Sequence, residues 1–287
     1  MSFVTETSGK AHERRIMRYG VPYKGSKNQI AKEIVSYLPE SDNFYDLFAG
    51  GCAITHRALE VNKWNHYLAS DINIQPLDLF IGSIYGKYGN DKSWVSREQF
   101  FAEKESNPQI KYCWSFSNNG KDYLYAKDIE ESKHKLHDLV VESGLSLSEA
   151  KERLLEVERV RELESLNRLQ ALQALQALQA DYKNVIIKPN SVIYCDIPYI
   201  NTNCGSYEGF NHDEFYEWAL KQTELLFISE YSMPDDFIRL GDIFKRQNST
   251  AFGCTELVND ALWVTRKQYE YMDRQLTLFD FIGVNNE

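Results

Sequence analysis

Phe44-Tyr45-Asp46-Leu47-Phe48-Ala49-Gly50-Gly51 is a short apolar run, broken by one acid and closed on two glycines. The part through Phe48 has the length and aromatic content of a strand, and Ile54 to Val61 has helical spacing. Strand, glycine turn and helix in that order form the first unit of a nucleotide-type α/β fold. The glycines let the backbone come close to a ligand. The next apolar run, His66 to Ser70, ends on Asp71-Ile72-Asn73. An acid there, about 20 residues past the glycine turn, suits two ribose hydroxyls, because one carboxylate accepts both hydrogen bonds.

Working outward, Tyr23-Lys24-Gly25-Ser26-Lys27 is a compact loop that runs into a helical segment marked by Ile30, Ile34, Val35 and Leu38 and stopped by Pro39. A glycine-containing loop at a helix start can hold an anion, and it reads equally as an ordinary helix entry. Far downstream, Val192-Ile193-Tyr194-Cys195-Asp196-Ile197-Pro198-Tyr199 is a buried-type strand that stops on an acid, a proline and an aromatic. Pro198 has no N–H and biases its predecessor toward an extended shape, so the carbonyls of Asp196 and Ile197 can point outward. A carboxylate, a carbonyl and a ring within four residues can accept both hydrogens of an exocyclic amino group while Tyr199 stacks on the attached heterocycle. On this tetrapeptide alone, an ordinary strand exit fits as well.

The other segments complete an α/β pattern. A helix is expected from Asp213 to Lys221, a strand from Leu225 to Ser229, and a hairpin with Ser249 to Cys254 at its turn and Leu257 to Val264 in its strands. The two α/β portions, 1–81 and 181–287, must share one sheet, which makes 82–180 an insertion. Within it, 82–127 is rich in turn residues and carries the aromatic cluster Tyr112-Cys113-Trp114-Ser115-Phe116. Asp128 with Glu131 reads as a capping pair for a helix that stops at Ser143-Gly144, and Ser146 with Glu149 as the cap of a second. That second helix is expected to run from Leu147 to Gln179, on the order of 50 Å at 1.5 Å per residue. Its Leu-Gln-Ala repeats place leucines every third residue, about 60° short of a turn, so they spiral round a helix instead of forming one stripe. Such an arm either packs on several sides or wraps a partner, a second copy included. Residues 1–17 read as a frayed terminus.

A chain of 287 residues with 43% hydrophobic and 13% aromatic content can fill one large core or a core with a sizeable insertion. No signal peptide or membrane-length apolar run is present, so a cytosolic protein is expected. Cys52, Cys113, Cys195, Cys204 and Cys254 lack metal-ligand spacing and read as reduced, mostly buried thiols, with no metal expected. The net charge of −10 argues against a surface coated for nucleic acid, yet residues 1–32 carry seven Lys/Arg against two acids, while 208–236 carry eight acids against Lys221. A basic face and an acidic back would fit an anionic partner.

With those residues in view, the chain resembles the Dam-type adenine-N6 DNA methyltransferases (D12 class, alpha group). Tyr23-Lys24-Gly25-Ser26-Lys27 is similar to the family's cofactor loop, with serine for the second of two glycines. Asp46-Leu47-Phe48-Ala49-Gly50-Gly51 resembles its glycine motif, Asp71-Ile72-Asn73 its ribose acid, and Asp196-Ile197-Pro198-Tyr199 its Asp-Pro-Pro-Tyr motif, with Ile197 for the first proline. The likeness covers about 1–80 and 182–270, and a looser one joins Trp114 to Gly120 to a segment near the extruded base. It implies a Rossmann-like S-adenosylmethionine-dependent sheet with an inserted, mostly helical target-recognition domain. It implies methyl transfer to N6 of an adenine flipped out of double-stranded DNA, with Asp196, Ile197, Pro198 and Tyr199 catalytic. Tyr23, Lys27, Asp46, Phe48, Ala49, Gly50, Gly51, Asp71 and Asp196 would line the cofactor site, Lys27 near the methionine carboxylate and Asp71 at the ribose. The family's pattern leaves two alternatives open: action on RNA or on a protein amide nitrogen, or a lapsed DNA-binding relative. Monomer and dimer both remain open, the latter through the 147–179 arm.

Overall fold

The computed structural model describes residues 19–144, 154–171, 175–200, 209–249 and 255–273. Its elements run α1 (Ala31–Tyr37), β1 (Ser41–Asp46), α2 (Ala53–Val61), β2 (Trp64–Asp71), α3 (Ile74–Ile84), α4 (Arg97–Glu103), α5 (Pro108–Cys113), α6 (Lys127–Val141), α7 (Leu155–Ser165), β3 (Leu175–Gln179), β4 (Ser191–Asp196), α8 (His212–Leu220), β5 (Leu225–Glu230), β6 (Phe237–Ser249) and β7 (Thr255–Thr265). The strands form one seven-stranded sheet in the order β3-β2-β1-β4-β5-β7-β6. β3, β2, β1, β4 and β5 are mutually parallel, whereas β7 runs antiparallel to both β5 and β6.

Side-chain alternation along the central strands builds a core on each face of the sheet. Phe44, Val192, Tyr194 and Phe227 enter one apolar cluster, and Tyr45, Ile193, Cys195, Leu226 and Ile228 enter the other. Parallel strands covered on both faces read as continuous apolar runs, which is why Val192 to Cys195 gives no polar alternation. From β1 the chain moves outward through β2 and β3, and on the other side lie β4 and β5. The strand order therefore reverses between β1 and β4, and the crevice beyond their carboxyl ends is where such sheets take ligands. Asp46 and Asp196 end those two strands.

The middle of the chain differs from expectation in three places. The stretch 82–127 is not merely loop: Ser96 caps α4 through its side chain, and Asn107-Pro108 is the cap and first residue of α5. Asp128 and Glu131 do not form a capping box, since Ala126 is the N-cap of α6 and has no side-chain cap; Asp128 instead lies in the first turn, facing the positive end of the helix. Gly144 has φ +69°, as a helix stop requires. The Ser146/Glu149 cap, residues 1–17, and the 250–254 turn lie outside the described residues.

The largest correction is the 147–179 arm. Helix α7 ends at Ser165, Leu166–Ala171 is a 3-10 helix, and Leu175–Gln179 is β3, paired parallel with β2. The repeat explains this. A 3-10 helix has three residues per turn, so leucines spaced by three fall on one line, and Leu166 and Leu169 are both buried, as is Leu163 of α7. In a strand the same spacing alternates faces, and Leu178 is exposed while Leu175 is half-buried. One repeat thus serves two backbone geometries, and its end joins the sheet as a strand where one long helix was expected.

Candidate active site

At the tip of β1, Asp46 is buried; its Oδ2 accepts from Thr55 Oγ1 of α2 at 2.7 Å, and its Oδ1 has no partner among the described residues. Burial pushes this carboxyl up to about 7, against the hydrogen bond from Thr55 and with the added push of Asp196 and Asp71. At the tip of β2, Asp71 Oδ2 accepts the Gly50 N–H at 2.7 Å and Oδ1 accepts the Asn73 N–H at 2.8 Å, so this acid also ties the glycine turn to its own strand.

The two glycines admit a ring. A Cβ on Gly51 would lie 2.7 Å from the Tyr23 Cβ, and one on Gly50, which has φ +45°, would lie 3.0 Å from the Tyr23 ring. The turn is thus roofed by the Tyr23 loop. Tyr23 in turn meets Tyr112 of α5 edge-on at 5.6 Å, and Tyr112 Oη accepts from Asn73 Nδ2 at 3.2 Å. Phe48 packs inward, stacked on Tyr182 at 5.3 Å and edge-on to Phe215. Ala49 donates its N–H to Ser70 of β2 at 3.0 Å.

The tip of β4 gathers charge from three distant parts of the chain. Lys27 Nζ lies 2.9 Å from Asp196 Oδ1 and 3.4 Å from Asp260 Oδ2 of β7, and its ammonium sits 4.4 Å above the Tyr199 ring. Tyr199 donates its hydroxyl to Asp260 Oδ1 in a short hydrogen bond and meets Tyr231 edge-on at 4.3 Å. Burial pushes the Asp196 carboxyl up to about 6; Lys27 pulls it back and Asp260 raises it. Burial alone would lower the Lys27 ammonium, but Asp196 and Asp260 outweigh it and the net shift is upward. Ile197 is buried, and the Pro198 carbonyl accepts a 2.7 Å bond from His212 Nε2 at the start of α8, which pins the bend after the strand. At the neighbouring tip of β5, burial pushes Glu230 up to about 7; its Oε1 accepts the Tyr231 N–H at 2.9 Å, and Oε2 has no partner among the described residues.

The residues singled out in sequence thus fall into two groups. Asp46, Asp71 and the glycine turn surround the carboxyl ends of β1 and β2 with Tyr23 above, whereas Lys27 reaches past them to Asp196 and Tyr199. Asp260, His212, Glu230, Tyr112 and Tyr182 were missed. Asp260 left one signal: an acid, next to Asn259, within the mostly apolar run from Leu257 to Val264. Among the described residues no group of His, Cys, Asp or Glu could hold a metal ion, and no helix is long and apolar enough to cross a membrane. Cys52, Cys113 and Cys195 are free and buried.

Residues 23–143 match the family model of the D12 class N6 adenine-specific DNA methyltransferases. The match takes in the Tyr23 loop, the glycine turn, Asp71 and the insertion through α6, and it stops short of Asp196. No curated protein matches the sequence. Among solved structures, a similar chain is the rRNA methyltransferase aviRa from Streptomyces viridochromogenes, 13% identical over 87% of this chain and 89% of that one, with a TM-score of 0.36. At that distance the likeness carries no weight for fold or substrate.

Proposed function

From the premise that this chain is an adenine-specific DNA methyltransferase of the D12 class, we propose that it takes its methyl group from S-adenosylmethionine and that the tips of β1, β2 and β4 form the site. The observation that carries this reading is the Lys27–Asp196–Tyr199 cluster, placed where the strand order reverses.

The donor set fits the cofactor. Asp71, at the end of β2 beside the glycine turn, is the carboxylate placed to accept from a ribose diol. The unpartnered, buried Oδ1 of Asp46 is an acceptor suited to an ammonium, and such a partner would draw its raised pKa down and ionise it. When bound, S-adenosylmethionine supplies a methyl group already activated by its sulfonium. Metal assistance is not called for.

What remains for the chain's own residues is orientation. An adenine amino nitrogen is a weak nucleophile because its lone pair is delocalised into the ring. The Asp196 carboxylate and the Ile197 carbonyl would each accept one N–H, drawing the nitrogen toward a tetrahedral shape with its lone pair free. The proton lost on alkylation leaves through the Asp196 side. Isoleucine serves at position 197 because only its carbonyl is asked for, and the His212 bond to Pro198 holds the bend in place. The face of the Tyr199 ring would stack on the base, offsetting the few kcal/mol that extrusion from a duplex costs. Base contacts fall to the part of 82–180 that precedes β3, which we assign to target recognition.

The test is incubation with labelled S-adenosylmethionine and unmethylated double-stranded DNA. Label is expected on adenine, and Asp196→Ala is expected to abolish it while cofactor binding persists. Label found only on RNA or protein, or transferred equally well by the variant, overturns the reading.

A further inference from the structure

We infer that Asp260 is a positioning residue for methyl transfer: it orients the Tyr199 ring through the hydroxyl and receives Lys27 when the target amino group takes its place at Asp196. This rests on the reading of Asp196 and Tyr199 given above and adds a residue from another strand.

Asp260 is a charged side chain with 4% of its surface exposed, followed in β7 by the apolar run Ala261 to Val264. A buried carboxylate costs several kcal/mol unless it is paired. Its side-chain partners among the described residues, Tyr199 and Lys27, both belong to the β4-tip cluster. The antiparallel return of the hairpin makes this possible: Ala261, the next residue, pairs with Glu230 at the end of β5, which sets Asp260 just beyond the strand tips.

The sharing of Lys27 gives the arrangement its use. One ammonium stands between two carboxylates, 2.9 Å from Asp196 and 3.4 Å from Asp260. An amino group that donates to Asp196 competes with that ammonium for the same oxygens. Without Asp260, Lys27 would lose the second carboxylate it already touches. With Asp260, a shift of well under the length of the side chain keeps it paired. The hydroxyl bond meanwhile fixes the plane of a ring that must lie flat on a base. Among the described residues, the titratable groups that interact with Asp196 are Lys27 from the loop before α1, Asp46 from β1, Tyr194, Cys195 and Tyr199 from β4 and its exit, Glu230 from β5, and Asp260 from β7.

The experiment compares wild type, Asp260→Ala, Asp260→Asn and Tyr199→Phe in steady-state methylation of duplex DNA across pH, with folding followed by circular dichroism and cofactor binding by calorimetry. For Asp260→Ala, kcat is expected to fall about 100-fold, the scale of a misplaced group, while KM for S-adenosylmethionine stays within about threefold. Asn keeps an acceptor for the Tyr199 hydroxyl and should recover about tenfold of that loss. Its acid limb of kcat should move to lower pH, because one negative charge no longer holds the Asp196 carboxyl up. Tyr199→Phe should cost less in the Asp260→Ala background than alone, since the Tyr199–Asp260 bond is lost in both changes. A folded Asp260→Ala with wild-type kcat overturns the inference, as does an Asn variant as impaired as Ala with an unmoved acid limb. Should Ala fail to fold, the Asn variant and its pH profile decide alone. Absence of adenine methylation by the wild type would instead strike the underlying reading, so the two failures are distinct.

Discussion

Two regions of this molecule bury charge, and they do it differently. In the insertion, Glu156 accepts the Tyr125 hydroxyl and bonds His137 Nδ1 at 3.1 Å, whose Nε2 meets the Lys92 carbonyl at 2.8 Å. Beside it, Arg159 donates to the carbonyls of Cys113 and Ser115, under a box of Trp94, Trp114, Tyr123 and Tyr125. Each of these buried groups has its partner, as a network serving stability requires. At the strand tips, Asp46 and Glu230 each keep an oxygen without a partner among the described residues, and Asp46, Asp196 and Glu230 are all pushed upward by burial. Unspent acceptors and raised carboxyls are what the site proposed above would need, at a cost in stability that the satisfied network elsewhere can carry.

The sharpest way to break that contrast is Asp196→Ala, for which turnover should drop by more than about 10³-fold, with thermal unfolding little changed or raised. A comparable loss of stability would make the strand tips a structural network like the other. Glu156→Ala should do the reverse, costing about 3–5 kcal/mol by leaving His137 and Tyr125 without their acceptor. Differential scanning calorimetry reads the fall in Tm, and a kcat per folded molecule that dropped with it would mean the insertion network and the site are one unit.

Asp46→Asn sharpens the comparison through pH. A folded-state pKa of about 7, raised above the unfolded value, gives stability that is complete below the unfolded pKa and is lost as pH rises through 7. Asparagine can still accept from Thr55, so the variant should gain at least about 1 kcal/mol on wild type at pH 8 and little at pH 4. Urea titrations at the two pH values check it, and an equal gap at both would remove Asp46 from the set of strained acids. The smallest effect is expected at the far edge: Leu178→Lys in β3, on an exposed edge strand, should change stability by no more than about 0.5 kcal/mol. A larger loss in denaturation would mean that this edge is covered in solution.

Much of the parallel half of the sheet was legible because its signals are local. The glycine turn after β1, Asp71 at the end of β2 and the bend at Asp196-Ile197-Pro198-Tyr199 each occupy a few consecutive residues whose conformational limits are intrinsic. The Leu-Gln-Ala stretch was not legible, because a three-residue period suits a 3-10 turn, a spiralling helix or a short strand. Pairing with β2 chose among them. Asn107-Pro108 was open to reading as a cap, yet turn residues around it drew the whole stretch toward loop.

By itself, then, the sequence determined the α/β class and the carboxylates at three strand tips. Tertiary structure alone decided which charges meet. Lys27, Asp196 and Asp260 are far apart along the chain, and no periodicity links them. Only the reversal of strand order and the antiparallel return of β7 bring one ammonium between two carboxylates. Burial then raises the pKa of Asp196, a property of the dielectric around it that no stretch of residues encodes.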